Sequence, residues 1–188
     1  MKRISALLTS KSNLLWIGVF LILFMLTTSI LFPWASNKLS IPQGVEKIDT
    51  QQFYSADKFY EIIETYGPAG RSGYAISHFT SDLVFPIVYT LFFGLWIAWA
   101  LRKILPGKSK WHLLNLTPLA LFVFDLMENT LVTILLLTYP SRMNWLASIS
   151  GFVTAIKWFF SAASVLLAVG ATLVMIGKLI FRRNTIQN

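Results

Sequence analysis

Four runs of apolar residues divide this chain, and each is long enough to cross a bilayer as a helix. A membrane-spanning helix needs ~20 mostly apolar residues. The runs cover about residues 14–32, 83–101, 116–138 and 146–178. This pattern predicts an all-α fold, a four-helix transmembrane bundle, organised as a single integral membrane domain over residues 1–188.

The first run has an alternative interpretation as a cleavable signal peptide, because Lys2, Arg3 and Lys11 precede it. However, the run is long for a signal peptide, and residues 32–36, FPWAS, make a poor small-x-small cleavage site. An uncleaved helix is the preferred prediction.

The connection between the first two runs, about residues 35–81, contains a second kind of helix signal. Ser55 is a good N-cap, the apolar residues after it recur at helical spacing, and Gly67-Pro68 ends the pattern. The sequence predicts a short amphipathic helix on the outer membrane face. The preferred alternative is a packing helix that covers the bundle.

A stripe of polar and aromatic residues follows at steps of three and four. It predicts one continuous helix that runs from the outer surface into the second span. Pro86 should kink this helix. We expect two of its members, Arg71 and His78, to lie at the surface rather than to act in catalysis. The stripe comprises Arg71, Tyr74, His78, Asp82, Pro86 and Tyr89.

The third run carries Asp125, Glu128 and Asn129 near its middle. An acid at the centre of a membrane helix costs at least ~2.5–3.5 kcal/mol on insertion scales. The i, i+3, i+4 spacing places all three on one helix face, which must look into protein or water. The sequence therefore predicts either a functional site or a structural hydrogen-bond clamp between helices.

Lys157 has two interpretations, because the start of the fourth helix is ambiguous. If the helix starts near Trp158, Lys157 is an interfacial anchor. If it starts near Trp145, Lys157 can pair with Glu128 or Asp125. One lysine cannot neutralise Asp82, Asp125 and Glu128, so we expect at least one acid to hold a proton at neutral pH.

Composition removes several classes of function. The chain has no cysteine and only two histidines, so thiolate chemistry is excluded and a metal site is not expected. No phosphate-binding or dinucleotide motif is present, and we expect no cofactor. The formal charge of +8 is spread over loops and tails, where it reports topology rather than nucleic-acid binding.

The positive-inside rule predicts that both termini are cytoplasmic. Ten lysines and arginines lie in residues 2–11, 102–110 and 178–183, which fall on one side of a four-span protein. The expected location is a bacterial inner membrane, with membrane lipids as partners and an oligomeric state that the sequence does not give.

The spacing of these polar residues resembles a group of small four-helix bacterial membrane proteins of unknown activity. The resemblance implies the fold and brings no residue roles. It rests on Gly70-Arg71-x-x-Tyr74, Asp82-x-x-x-Pro86-x-x-Tyr89, Asp125-x-x-Glu128-Asn129 and Lys157-Trp158. The chain is also similar in concept to sterol-isomerase and sigma-2-receptor type proteins, which place acids and a tryptophan in a membrane pocket for an apolar ligand.

The leading hypothesis is an outward-facing site that binds or modifies a lipid-like or isoprenoid-like molecule. Asp125 and Glu128 would donate and accept the proton, and Asp82 and Lys157 would set their charge state. The expected ligand contacts are Asn129, Tyr89, Trp158, Arg71, Tyr74 and His78. A scaffold or assembly subunit is the alternative. Oligomeric proton-coupled transport is disfavoured by the apolar inner halves of the spans.

Overall fold

The computed structural model describes residues 1–42 and 44–187, with side chains up to Phe181. A π-helical stretch, Thr27–Leu31, joins α2 to α3, and short 3-10 segments cover Ile48–Thr50 and Lys110–Leu116. The fold is all-α, as predicted, and the described residues form no strand. The helices are α1 (Lys2–Lys11), α2 (Leu14–Leu26), α3 (Phe32–Lys38), α4 (Ala56–Thr65), α5 (Gly67–Ser77), α6 (Ser81–Ile104), α7 (Thr117–Thr138) and α8 (Asn144–Gln187).

Four helical stretches are long and apolar enough to cross a membrane, so this is an integral membrane protein. They are Leu14–Ser36, Gly67–Ile104, Lys110–Thr138 and Asn144–Phe181. The third agrees closely with the predicted run. The fourth begins at Asn144, which decides the ambiguous start and places Lys157 thirteen residues inside the helix.

Three helices, α6, α7 and α8, contact one another and form the centre of the bundle. The first spanning helix lies beside α6, where Phe24 packs against Phe85, Phe92 and Phe93 with ring centroids 5.4–6.0 Å apart. None of the residues of α2 is buried in the chain. Its apolar surface therefore suits contact with lipid.

The two ends of the bundle have separate cores. At one end, α4 buries Phe59, Tyr60, Ile62 and Ile63 against α7 and the start of α8. Each buried side chain of this size stabilises the fold by about 1.5–3 kcal/mol. The amphipathic helix is therefore the packing helix of the preferred alternative, with Ser55 accepting a hydrogen bond from the Lys58 amide as its N-cap.

At the other end, small residues let the helices approach closely. Ala168 and Ala171 of α8 lie against Ile97, Ala100 and Leu101 of α6. We call this end, which carries α1, residues 105–116 and the C-terminal part of α8, the terminal side. The side chains of Arg182 and Arg183, part of the predicted basic C-terminus, lie outside the described residues.

Two elements differ from the prediction. The expected continuous helix from Arg71 to Tyr89 is broken, because residues 78–80 form a turn between α5 and α6. The N-terminus, predicted only as a basic segment, forms α1, whose Ser5 is buried and donates a hydrogen bond to the His112 carbonyl at 3.2 Å.

Candidate functional site

Lys157 is the central charge of a cluster formed by α6, α7 and α8. Its ammonium forms an ion pair with Glu128 and lies 3.6 Å from a carboxylate oxygen of Asp125. The side chain is only 12% exposed, and that of Glu128 only 1%. Of the two sequence-based interpretations, the pairing with acids of α7 is the one that the structure has.

The two other α7 residues connect to α6. Asp125 accepts a hydrogen bond from the Tyr89 hydroxyl at 3.1 Å, and Asn129 donates one to Asp82 at 3.1 Å. Because α6 and α7 are antiparallel, these pairs follow each other along the same interface, about two helical turns apart on α6 and about one turn apart on α7. The Asn129–Asp82 pair and the Tyr89–Asp125–Lys157 group therefore lie along the same α6–α7 interface.

Behind Glu128, three hydroxyl groups extend this network. Thr154 donates to the second carboxylate oxygen of Glu128 at 2.5 Å, and the Tyr54 hydroxyl lies 2.7 Å from that of Ser150. Burial, followed by the negative charge of Glu128, raises the pKa of Tyr54 to about 12. The Tyr54 hydroxyl therefore keeps its proton at any physiological pH and remains a hydrogen-bond donor.

A short segment, residues 48–51, lies across the end of the cluster that is farthest from the terminal side, and we call it the strap. Lys157 donates to the Asp49 carbonyl at 3.5 Å and Trp158 donates to the Gln51 carbonyl at 2.7 Å. At its start, the Ile48 amide donates to the Tyr66 hydroxyl at 2.9 Å. Two adjacent residues of α8 thus hold the strap over the site.

A cavity of about 330 Å³ lies under the strap, and we call it the main cavity. Its outer end carries four charged side chains, Asp49, Asp82, Asp125 and Lys157. Its other end is lined by Phe93, Leu121 and Val165. Asp82 and Phe93 are eleven helical residues apart, a separation of ~16 Å along α6. The cavity is therefore polar at one end and apolar at the other.

A second, upper cavity of about 220 Å³ adjoins the first. The two share Phe32, Asp49, Thr50 and Asp82 as lining residues. Two buried polar groups on the upper lining, the Asp49 carboxylate and the Tyr74 hydroxyl, interact with each other. Together they give the upper cavity a polar wall.

Three predicted residues are placed differently from the expectation. His78, expected at the surface, is 2% exposed and lies 2.9 Å from the Thr133 hydroxyl, because the turn after α5 folds its ring under Tyr74. Arg71 is half-buried and lines neither cavity. It donates to the Ile63 carbonyl and covers the ring of Tyr139. Glu128 does not line the main cavity either, because it lies behind Lys157. A fourth residue, Asn129, was expected to contact the ligand but lines neither cavity.

Ser150, Thr154 and Ser161 belong to the cluster but were not predicted as site residues, whereas Lys157 was. Ser150, Thr154, Lys157 and Ser161 form a polar stripe on α8 at steps of four, three and four, a signal that was available. Asp49 offered no comparable signal, because it lies in an irregular connection. The phenylalanines of the cavity wall look like ordinary lipid-facing residues in the sequence.

Asp125 is the acid of α7 that lines the main cavity. Asp125 is exposed to the main cavity and is oriented by a phenol and an ammonium, a setting that can serve a carboxyl acting as acid or base. Among the described residues, no group of three or more histidines and acids has the arrangement of a metal site.

Comparison with known proteins adds no family. No family model, curated protein or solved structure matches the chain. The four long apolar helices fit a small integral membrane protein, and the family suggested by the polar spacing is not identified by these comparisons.

Proposed function

We propose that this protein binds a lipid-like or isoprenoid-like molecule in the main cavity and modifies it by proton transfer without a cofactor. The observation that carries the proposal is the cavity itself. A volume of about 330 Å³ joins charged side chains at one end to an aromatic and aliphatic wall at the other. Pockets for small molecules have volumes of about 300–1,000 Å³ and few, well-placed polar groups.

The charged and apolar ends of the main cavity suggest how the ligand would be oriented. Its polar head would lie under the strap, beside Asp82, Asp125 and Lys157, and its apolar part would contact Phe85, Phe93 and Val165. Asp125 would give or take the proton, because it is the acid of α7 that lines the cavity. Glu128 would act through Lys157, by holding the ammonium in place.

A scaffold is the second candidate, and one observation favours it. Glu128 is fully enclosed by Lys157 and Thr154, as expected of a clamp between α7 and α8. A clamp alone does not account for a cavity on the other side of Lys157. Transport has less support, because Ala168 and Ala171 pack tightly against α6 on the terminal side.

The test is binding of farnesol, an isoprenoid alcohol, to the detergent-solubilised full chain. Ser161 lines the main cavity, so Ser161→Phe should fill part of it and weaken binding about tenfold or more. The matched control is Ala162→Phe, which adds a similar side chain to the next residue of α8, at an exposed position.

Equal affinity of both variants and the parent protein would contradict the proposed cavity. Hexadecane is the second ligand, because it offers no polar head. Asp125→Asn should weaken farnesol binding and leave hexadecane binding unchanged, since only farnesol has a hydroxyl for the carboxylate. A loss of both ligands would point to a collapsed site, and thermal unfolding of the variant would reveal it.

A further inference from the structure

The terminal side of the bundle carries positive charge without any acid. All eight acidic residues of the chain lie within residues 46–82 or at positions 125 and 128. Residues 1–13, 102–116 and 178–188 contain only basic charged residues. The charge of this end is therefore not neutralised by side chains of the chain itself, and an anion from outside would be attracted to it.

A recess of about 780 Å³ opens within this charged end, between α1 and residues 102–113. Four basic side chains line it: Lys2, Arg102, Lys108 and Lys110. We call it the basic recess. It shares no lining residue with the main or the upper cavity and lies at the opposite end of α6 from Asp82.

One of its cations is held in place by the fold. Arg102 donates to the Ser12 carbonyl at 2.9 Å and to the Thr9 carbonyl at 3.4 Å, at the C-terminal end of α1. These contacts orient the guanidinium, and its charge has no counter-ion among the described residues. Lys108 and Lys110 are exposed at the rim, where they can close on a bound anion.

The surroundings of the recess are those of a membrane boundary. Apolar residues lie beside its cations: Leu105 and Leu113 are part of the lining, and the exposed Ile4, Leu7 and Trp111 are near neighbours in the sequence of lining residues. A ligand with an anionic head and an apolar tail would contact both the cations and the apolar residues. A soluble phosphate would use only the cations.

We propose that the basic recess is a second lipid site, which binds the phosphate of an anionic phospholipid through Arg102, Lys108 and Lys110. The acyl chains would lie against the apolar surface of α1 and Leu113. Basic residues near a membrane attract anionic lipid, and basic pockets between membrane helices are suited to such head groups. This proposal is independent of the function proposed for the main cavity.

The test measures binding of short-chain dioctanoyl phosphatidylglycerol to the purified full chain in neutral detergent. Lys108→Gln with Lys110→Gln should weaken binding about tenfold or more, since two contributions of about 1 kcal/mol are lost. The matched control is Lys11→Gln with Lys103→Gln, which removes the same charge from exposed residues of the same end that do not line the recess. We expect the control to change binding less than twofold, and Lys108→Arg with Lys110→Arg to retain it.

Two further ligands separate the possible sources of the anion. Dioctanoyl phosphatidylcholine, which has no net charge, should bind at least tenfold more weakly, and glycerol phosphate alone should not compete at equal concentration. Equal losses in the two lysine pairs would show diffuse attraction and overturn the site. Competition by glycerol phosphate would overturn the assignment to a lipid.

Discussion

Lys157 on α8 and Glu128 on α7 form a buried ion pair that joins the two helices behind the main cavity. Removing one partner of such a pair strands a charge and costs about 3–5 kcal/mol. Lys157→Met should show the full cost, because it strands both Glu128 and Asp125. Glu128→Gln should cost less, since Lys157 keeps Asp125 at 3.6 Å. The double variant should recover most of the loss, and unfolding in detergent measures all three.

Additive effects in this cycle would contradict the pairing, because two residues that do not interact change stability independently. The double variant is expected to fall short of the parent protein, since Asp125 then keeps only the Tyr89 hydroxyl.

Close packing of α8 against Tyr54, in the connection that precedes α4, gives a second prediction. A Cβ atom on Gly151 would come 2.0 Å from the Tyr54 carbonyl oxygen, whereas one on Gly170 would meet nothing within 4 Å. Gly151→Ala should therefore destabilise the protein by ~1–3 kcal/mol through overpacking. Gly170→Ala in the same helix should be neutral or stabilising, because alanine favours helix by about 1 kcal/mol. Equal unfolding temperatures for the two variants would contradict this packing.

The strap provides a third prediction. Trp158→Phe keeps an aromatic ring but removes the hydrogen bond to the Gln51 carbonyl. Such a bond contributes about 1 kcal/mol, so hydrogen exchange at the amides of residues 48–51 should become about fivefold faster. Trp145→Phe, on an exposed part of the same helix, is the control and should leave these amides unchanged. Unchanged exchange in Trp158→Phe would mean that the tryptophan does not hold the strap.

The sequence was sufficient to predict the fold because long apolar runs have only one structural solution in a membrane. It also identified most of the polar cluster, since Asp125, Glu128 and Asn129 are costly in lipid and must face a partner. It could not show that Glu128 lies behind Lys157 while Asp125 lines the cavity. Asp125 and Glu128 lie on the same face of α7, and only the packing of α8 decides which of them lines the cavity.

The burial of His78 and the role of Asp49 were out of reach for a different reason. Both depend on where an irregular connection folds, and such segments have no periodicity to interpret. The turn at residues 78–80 redirects the chain between α5 and α6, and the strap brings Asp49 to the site. The polar stripe of α8, by contrast, was readable from its spacing.

Topology is the fourth prediction: both termini are cytoplasmic, because the ten basic residues of the terminal side should remain inside. The chain has no cysteine, so single cysteines can be placed freely. A membrane-impermeant maleimide should label Gln52→Cys in intact cells and Lys108→Cys only after permeabilisation. Both positions are exposed. Labelling of Lys108→Cys but not of Gln52→Cys in intact cells would contradict this topology. The main cavity would then face the cytoplasm.

The most direct measurement for the central claim is photo-crosslinking with a diazirine analogue of farnesol, mapped by mass spectrometry on the membrane-embedded full chain. The account predicts adducts on Phe85, Tyr89 and Trp158 that compete with unlabelled farnesol and decrease in Ser161→Phe but not in Ala162→Phe. Adducts confined to exposed residues such as Val123, Leu166 and Leu173, and equal in both variants, would contradict a lipid-binding site in the main cavity.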